Sequence, residues 1–175
     1  PAALAAPMAG HDAIAEYVLP WPFYTMARNA RWDDIVSAPR PADATPSTLS
    51  MWHYAPGVAS IGKGDVAGAK KSRDEFAKAR AAVPKDLMLN TNRAEDLLTI
   101  ASLVLDARIA RAAGDHNAAI GQWQKAIVIQ DRLIYDEPPA WYYPVRESLG
   151  AEYLLLKRHA DAGDQFAPRA LGDLT

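Results

Sequence analysis

From Leu97 to Gln130 the chain reads LLTIASLVLDARIARAAGDHNAAIGQWQKAIVIQ, two apolar periodicities separated by Gly114-Asp115. Leu97, Ile100, Ala101, Val104, Ala107 and Ala110 recur at steps of three and four, and Ala119, Ile120, Trp123, Ala126 and Ile127 repeat the pattern after the hinge. Such spacing puts each set on one face of a helix. The stretch therefore predicts an antiparallel helical hairpin. One hairpin cannot bury two apolar stripes by itself, so the architecture requires neighbours of the same kind stacked against it.

The rest of the chain supplies them. Turn signals recur at Asn29-Ala30-Arg31, Gly62-Lys63-Gly64-Asp65, Gly114-Asp115 and Lys157-Arg158-His159. Five residues after each turn stands a small or apolar residue, Ile35, Ala69, Ala119 and Ala162, at separations of 34, 50 and 43 residues. The two longer intervals carry inserted loops, PKDLMLNTNR and the segment around Asp136-Glu137-Pro138-Pro139. Seven residues before each turn stand Phe23, Gly57, Ala107 and Gly150; the small residues among them allow two helices to approach closely. Pro20-Trp21-Pro22 breaks the first helical pattern, since proline removes a donor and restricts its predecessor. The segment PRPADATPS is a loop whose Thr45 or Ser47 caps the next helix, and Asp65 caps the one after. The second copy has Pro56 inside its first helix and Arg73 where the third and fourth have Trp123 and Phe166, which puts regular packing there in question.

The series Gly150, Tyr153, Ala162, Phe166, with Ala107, Gly114, Ala119, Trp123 and Ala126 in the preceding copy, resembles the tetratricopeptide repeat. The resemblance implies an all-α fold, a right-handed superhelix of about four hairpins, forming one domain over residues 1–175 with copies near 12–38, 48–83, 94–134 and 138–171. The phrase YDEPPAWYYPVRESLGA, Tyr135 to Ala151, also looks like a segment of large bacterial tetratricopeptide proteins. On that likeness, and because the sequence starts at Pro1 without methionine, it is expected to be a processed product or a piece of something longer.

In this family function lies on a concave surface lined mainly by the first helix of each copy. Transferred by register, the groove residues are Met51, Tyr54, Val58, Val104, Arg108, Arg111 and Glu147, followed by Ala151 and Leu154. The lysine and asparagine clamp with which some members hold a peptide carboxylate is not reproduced. Arg108 and Arg111 lie three apart on one helix face and can form bidentate bonds to a carboxylate; alternatively they pair with Asp106, Asp115 or Glu147 on a solvated surface. Trp141-Tyr142-Tyr143 beside Asp136-Glu137 is the most conspicuous local composition. Rings next to carboxylates can hold a peptide or a cationic ligand. The alternative, favoured because an inserted loop needs apolar anchors, is that they pack between the third and fourth copies. Trp21, Trp32, Trp52 and Trp123 read as core.

Composition narrows the function further. Nineteen Lys and Arg against 21 Asp and Glu give no electrostatic reason to expect nucleic acid or an anionic membrane as partner. Without cysteine there is no thiolate chemistry or cysteine-ligated metal. No run approaches the roughly 20 apolar residues of a membrane helix, which predicts a soluble, cytoplasmic chain. His11, His53, His116 and His159 show no metal-ligand spacing and no serine occupies a nucleophile elbow. A hydrolytic or metal site near His11-Asp12, His53 and Asp33 or Asp34 is the minor alternative. The expectation is a non-catalytic module without cofactor, displaying its groove to a protein or peptide partner, with homodimerisation through a repeat end as a further option. The competing expectation is an accessory helical domain of a larger enzyme or of a small-molecule or metal-binding protein.

Overall fold

The computed structural model describes residues 13–167. They are mostly helical, in the order α1 (Ala13–Val18), α2 (Trp21–Arg28), α3 (Trp32–Ser37), α4 (Pro46–Gly62), α5 (Val66–Ala81), α6 (Ala94–Ala112), α7 (His116–Gln130), α8 (Val145–Leu155) and α9 (His159–Phe166). Between α5 and α6 a two-stranded antiparallel ribbon, β1 (Met88–Leu89) and β2 (Asn92–Arg93), pairs Met88 with Arg93 and Leu89 with Asn92. The ribbon is an addition to the all-helical expectation, and it lies within the first inserted loop.

Four helix pairs, α2/α3, α4/α5, α6/α7 and α8/α9, are closed by one and the same turn. Its central residue has positive φ in every case: Ala30 (52°), Gly64 (79°), Gly114 (81°) and Lys157 (58°). The next residue returns its amide to a carbonyl five back, Arg31 to Met26 (2.9 Å), Asp65 to Ser60 (2.8 Å), Asp115 to Ala110 (2.9 Å) and Arg158 to Tyr153 (2.8 Å). This is the Schellman ending, which occupies otherwise orphaned helix carbonyls. Two copies then start the second helix with an aspartate cap, Asp65 accepting from Gly68 N and Asp115 from Ala118 N. The other two use arginine at that position, and each pairs it three residues on, Arg31 with Asp34 (2.6 Å) and Arg158 with Asp161 (2.8 Å).

Only glycine enters the left-handed region without a Cβ penalty, which for other residues is about 1–2 kcal/mol. Replacing exposed Lys157 by glycine is therefore expected to stabilise the fourth hairpin by about 0.5–1 kcal/mol after the entropy glycine adds to the unfolded chain. Thermal unfolding checks this, and a fall in Tm contradicts it.

Ile35, Ala69, Ala119 and Ala162, five residues past the turns, are all at most 1% exposed. Around them the main core runs from Met51, Tyr54 and Val58 of α4 through Phe76 of α5, Leu98 to Ile109 of α6 and Ile120 to Ile127 of α7 into α8. Close approach is visible at Gly57, where an added Cβ would stand 3.0 Å from both Leu105 methyl carbons and 3.3 Å from Ser72 Cβ. Helix α4 runs unbroken through Pro56. The helix following the Pro138-Pro139 loop begins at Val145, with Pro144 as its N-cap. Trp123 is 1% exposed, whereas Trp21, Trp32 and Trp52 are only partly buried against the same interior.

Candidate functional site: an arginine-lined cleft

The first helix of each hairpin contributes to one cleft of about 370 Å³: Ala27 and Arg28 from α2, Val58 from α4, Arg108 and Arg111 from α6, and Glu147, Ser148 and Ala151 from α8. Trp123 of α7 and the loop residues Tyr142 and Tyr143 complete its lining. Of the groove residues read from register, the structure brings Val58, Arg108, Arg111, Glu147 and Ala151 together here.

It places the others elsewhere. Val104 is wholly buried and Tyr54 is 2% exposed, both inside the main core, which also takes in Trp141, Tyr142 and Tyr143 of the second inserted loop. Tyr54 Oη stands 3.0 Å from Tyr142 Oη. Met51 faces a different, apolar hollow with Pro22, Phe23, Met26, Pro39 and Trp52. Leu154 is exposed outside the cleft.

Trp141, Tyr142 and Tyr143 are not an exposed patch. All three are at most 9% exposed, and their partners include the N-terminal helices, which packing between the third and fourth copies alone does not foresee. Tyr142 stacks on Tyr24 (ring centroids 4.3 Å apart, 8° between planes) and Trp141 meets Tyr54 edge-on at 5.7 Å. Tyr24 continues through Trp21 to Tyr17, whose hydroxyl donates to the Pro138 carbonyl. Arg28 Nη1 donates to the Tyr142 carbonyl at 3.0 Å. Both carboxylates that the sequence places beside these rings accept within the chain, Asp136 from Asn90, Thr91 and Asn92 and Glu137 from the Tyr135 hydroxyl.

The electrostatics of the cleft are lopsided. Three guanidiniums face one carboxylate, Glu147, and among the described residues none of Arg28, Arg108 and Arg111 forms an ion pair within 4 Å. The carboxylates named as alternative partners are engaged otherwise: Asp106 lies 3.7 Å from Arg73 and Asp115 caps α7. Arg111 is held over the Trp123 ring at 5.8 Å, a cation–π contact. Arg108 Nε is shielded from solvent and has no hydrogen-bond partner. The nearby phenols do not balance it. Burial holds the Tyr54 and Tyr142 hydroxyls well above the usual phenol range, Tyr143 adding to the shift at both and Arg108 opposing it without reversing it, so both stay neutral.

An arginine remains charged at any physiological pH, and an unpaired charge in a poorly hydrated wall costs stability. Arg108→Met is therefore expected to hold Tm or raise it by a few degrees, corresponding to about 1 kcal/mol. Calorimetry on both proteins decides the matter; a clear loss of stability would show that Arg108 is retained for the fold.

Of the histidines, His11 lies outside the described residues together with Asp12. The ring of His53 is partly buried, and its pKa is lowered, chiefly by desolvation. His159 is exposed. His116 has a role the sequence did not signal, with Nδ1 2.6 Å from Oε1 of fully buried Glu152. Among the described residues no group of three His, Asp or Glu side chains is arranged to hold a metal ion, and no helix is long and apolar enough to cross a membrane.

Compared with known protein families, with curated proteins and with solved structures, the chain matches none. The class that its own features define is a mostly helical chain of hairpins closed by a repeated turn, with a cationic cleft where the first helices converge.

Proposed function

We propose that this chain is a non-catalytic interaction module of tetratricopeptide-like architecture, which receives a negatively charged segment of a protein or peptide partner in the cleft between its first helices. The observation that carries the reading is the guanidinium of Arg108, set in the cleft wall beside Arg28 and Arg111 without a carboxylate within 4 Å. A cation kept in such a place at a cost to stability is explained by a ligand that supplies the missing charge. Recurrence of the turn at Ala30, Gly64, Gly114 and Lys157 supports the repeat assignment.

A second reading, the ligand-binding accessory domain of a larger protein, is favoured by the convergence of polar groups from several helices into a cleft of about 370 Å³, within the ordinary range for small-molecule pockets.

The test is fluorescence anisotropy of labelled acidic, neutral and basic peptides with the wild type and the Arg108→Glu/Arg111→Glu double variant, helicity being verified by circular dichroism. Acidic peptides are expected to bind, and the double variant to lose at least about tenfold in affinity, since one charge-assisted hydrogen bond contributes about 1.5–3 kcal/mol. Binding indifferent to peptide charge, or unchanged in the double variant, would remove the cleft from consideration as the partner site.

A further inference from the structure

The chemistry of the cleft specifies more than negative charge. A lone carboxylate is planar, singly charged and satisfied by one guanidinium fork. Here three guanidiniums from two helices, α2 and α6, line one cavity with a single opposing carboxylate, which leaves an excess of two positive charges. Two hydroxyls are present as well. Ser148 Oγ donates to Tyr143 Oη across a long 3.3 Å contact, which commits the serine hydrogen and leaves the Tyr143 O–H as the donor free to meet an anion. Arg28 uses one terminal nitrogen on the Tyr142 carbonyl, and Arg111 is positioned by the Trp123 face; each retains N–H groups in its fork. The site thus combines a doubly positive excess, several donors on different sides and a predominance of arginine, the side chain whose planar fork matches phosphate oxygens.

A phosphate monoester has the complementary properties. It carries about −1.5 to −2 charges at neutral pH and three terminal acceptor oxygens. We propose that the cleft is a phosphate-monoester site, with Arg108 as its anchor, and that the group recognised is a phosphorylated side chain of the peptide partner. This inference rests on the reading of the cleft as the partner site. Glu147 is exposed and lines the same cleft; it disfavours phosphate locally and, by the same token, favours a basic residue flanking the phosphorylated one.

The experiment uses the full chain and isothermal titration calorimetry at constant ionic strength. The probes are inorganic phosphate, glycerol phosphate, acetate, a serine-containing peptide carrying a basic neighbour, its phosphorylated form and its glutamate-substituted form. The phosphopeptide is expected to bind at least about tenfold more tightly than the glutamate form, with phosphate and glycerol phosphate competing and acetate not competing. Arg108→Gln is expected to abolish that preference while preserving helicity. Arg111→Gln, at a partly exposed position, serves should the first variant unfold. Tight binding of glycerol phosphate without any gain from the peptide would assign the same chemistry to a small phosphorylated molecule and overturn the peptide source. If the acidic forms bind equally, or acetate competes as well as phosphate, the phosphate proposal fails while the interaction reading survives. If no peptide and no anion binds, both fail.

Discussion

Replacing His116 by alanine is expected to cost about 3 kcal/mol and to lower Tm by on the order of 10 °C. Glu152 has no solvent exposure, and its Oε1 lies 2.6 Å from His116 Nδ1. Among the described residues Oε2 has no hydrogen-bond partner and the imidazole is the one polar group bonded to this carboxyl. Removing one member of a buried pair leaves the other stranded, which is why truncation costs more than the pair contributes. The imidazole is about one-third exposed, so water entering the space it vacates reduces the loss, and the estimate sits at the low end of the buried-pair range. The pair joins α7 to α8, that is, the third hairpin to the fourth. Hydrogen exchange should accordingly show α8 and α9 opening before the rest. The double variant His116→Ala/Glu152→Leu removes charge and partner together and is expected to recover most of the lost stability. Equal stability of the single variant and the wild type, measured by urea unfolding, would show that the carboxyl is accommodated without the imidazole.

Neither this pair nor most of the cleft could be reached from periodicity, and the reason is physical. Hydrophobic spacing reports which face of a helix is turned inward, and a left-handed turn leaves a mark of Gly or a polar residue at a fixed offset. The four hairpins were therefore legible, down to the burial of Ile35, Ala69, Ala119 and Ala162. Arg108 and Arg111 were legible as a pair because three residues make nearly one turn. What covers the inner face was not. That depends on where residues 131–144 travel, and their contacts join positions far apart in sequence: Arg28 to the Tyr142 carbonyl, Tyr17 to the Pro138 carbonyl, Tyr54 to Tyr142. With Trp141 and Tyr142 of this loop against it, Tyr54 becomes core and what remains open is a cleft. The conspicuous composition of Trp141-Tyr142-Tyr143 correctly drew attention to the segment; its burial against α2, rather than its display, followed from Tyr17, Trp21 and Tyr24, whose rings sequence alone could not orient. The want of a carboxylate partner at Arg108 was likewise hidden: Asp106 lies beside Arg73, and the group that meets the guanidinium is the Tyr143 hydroxyl of the loop.

One end of the loop that shapes the cleft is clasped through the Asp136 carboxylate, so Asp136→Ala is expected to damage stability and binding together. Asp136 is 4% exposed and accepts from Asn90 Nδ2 at 2.6 Å, Thr91 Oγ1 at 2.7 Å and Asn92 Nδ2 at 2.9 Å. Asn92 completes the clasp by donating to the Ile134 carbonyl at 2.9 Å and accepting from the Ile134 amide at 2.8 Å. Hydrogen bonds to a charged group contribute about 1.5–3 kcal/mol each, but three such values do not add here. Asn90 and Thr91 are exposed and recover water when the carboxylate is lost, whereas Asn92 is buried and retains its bonds to Ile134. A loss of about 3 kcal/mol is the expected balance. The loop amides from 134 to 143 should then exchange faster than those of α6 and α7, because only the Asn92 bonds to Ile134 still tie the loop to the ribbon. Tyr142 and Tyr143 move with the loop, and with them the contact that holds Arg28 at the cleft. Ligand affinity should consequently fall although Asp136 does not line the cleft. Asp136→Asn keeps the shape and one good acceptor, so it should lie between alanine and wild type in both measurements. Loss of stability with undiminished affinity at a temperature where the variant remains folded would show that the cleft keeps its form without the clasp.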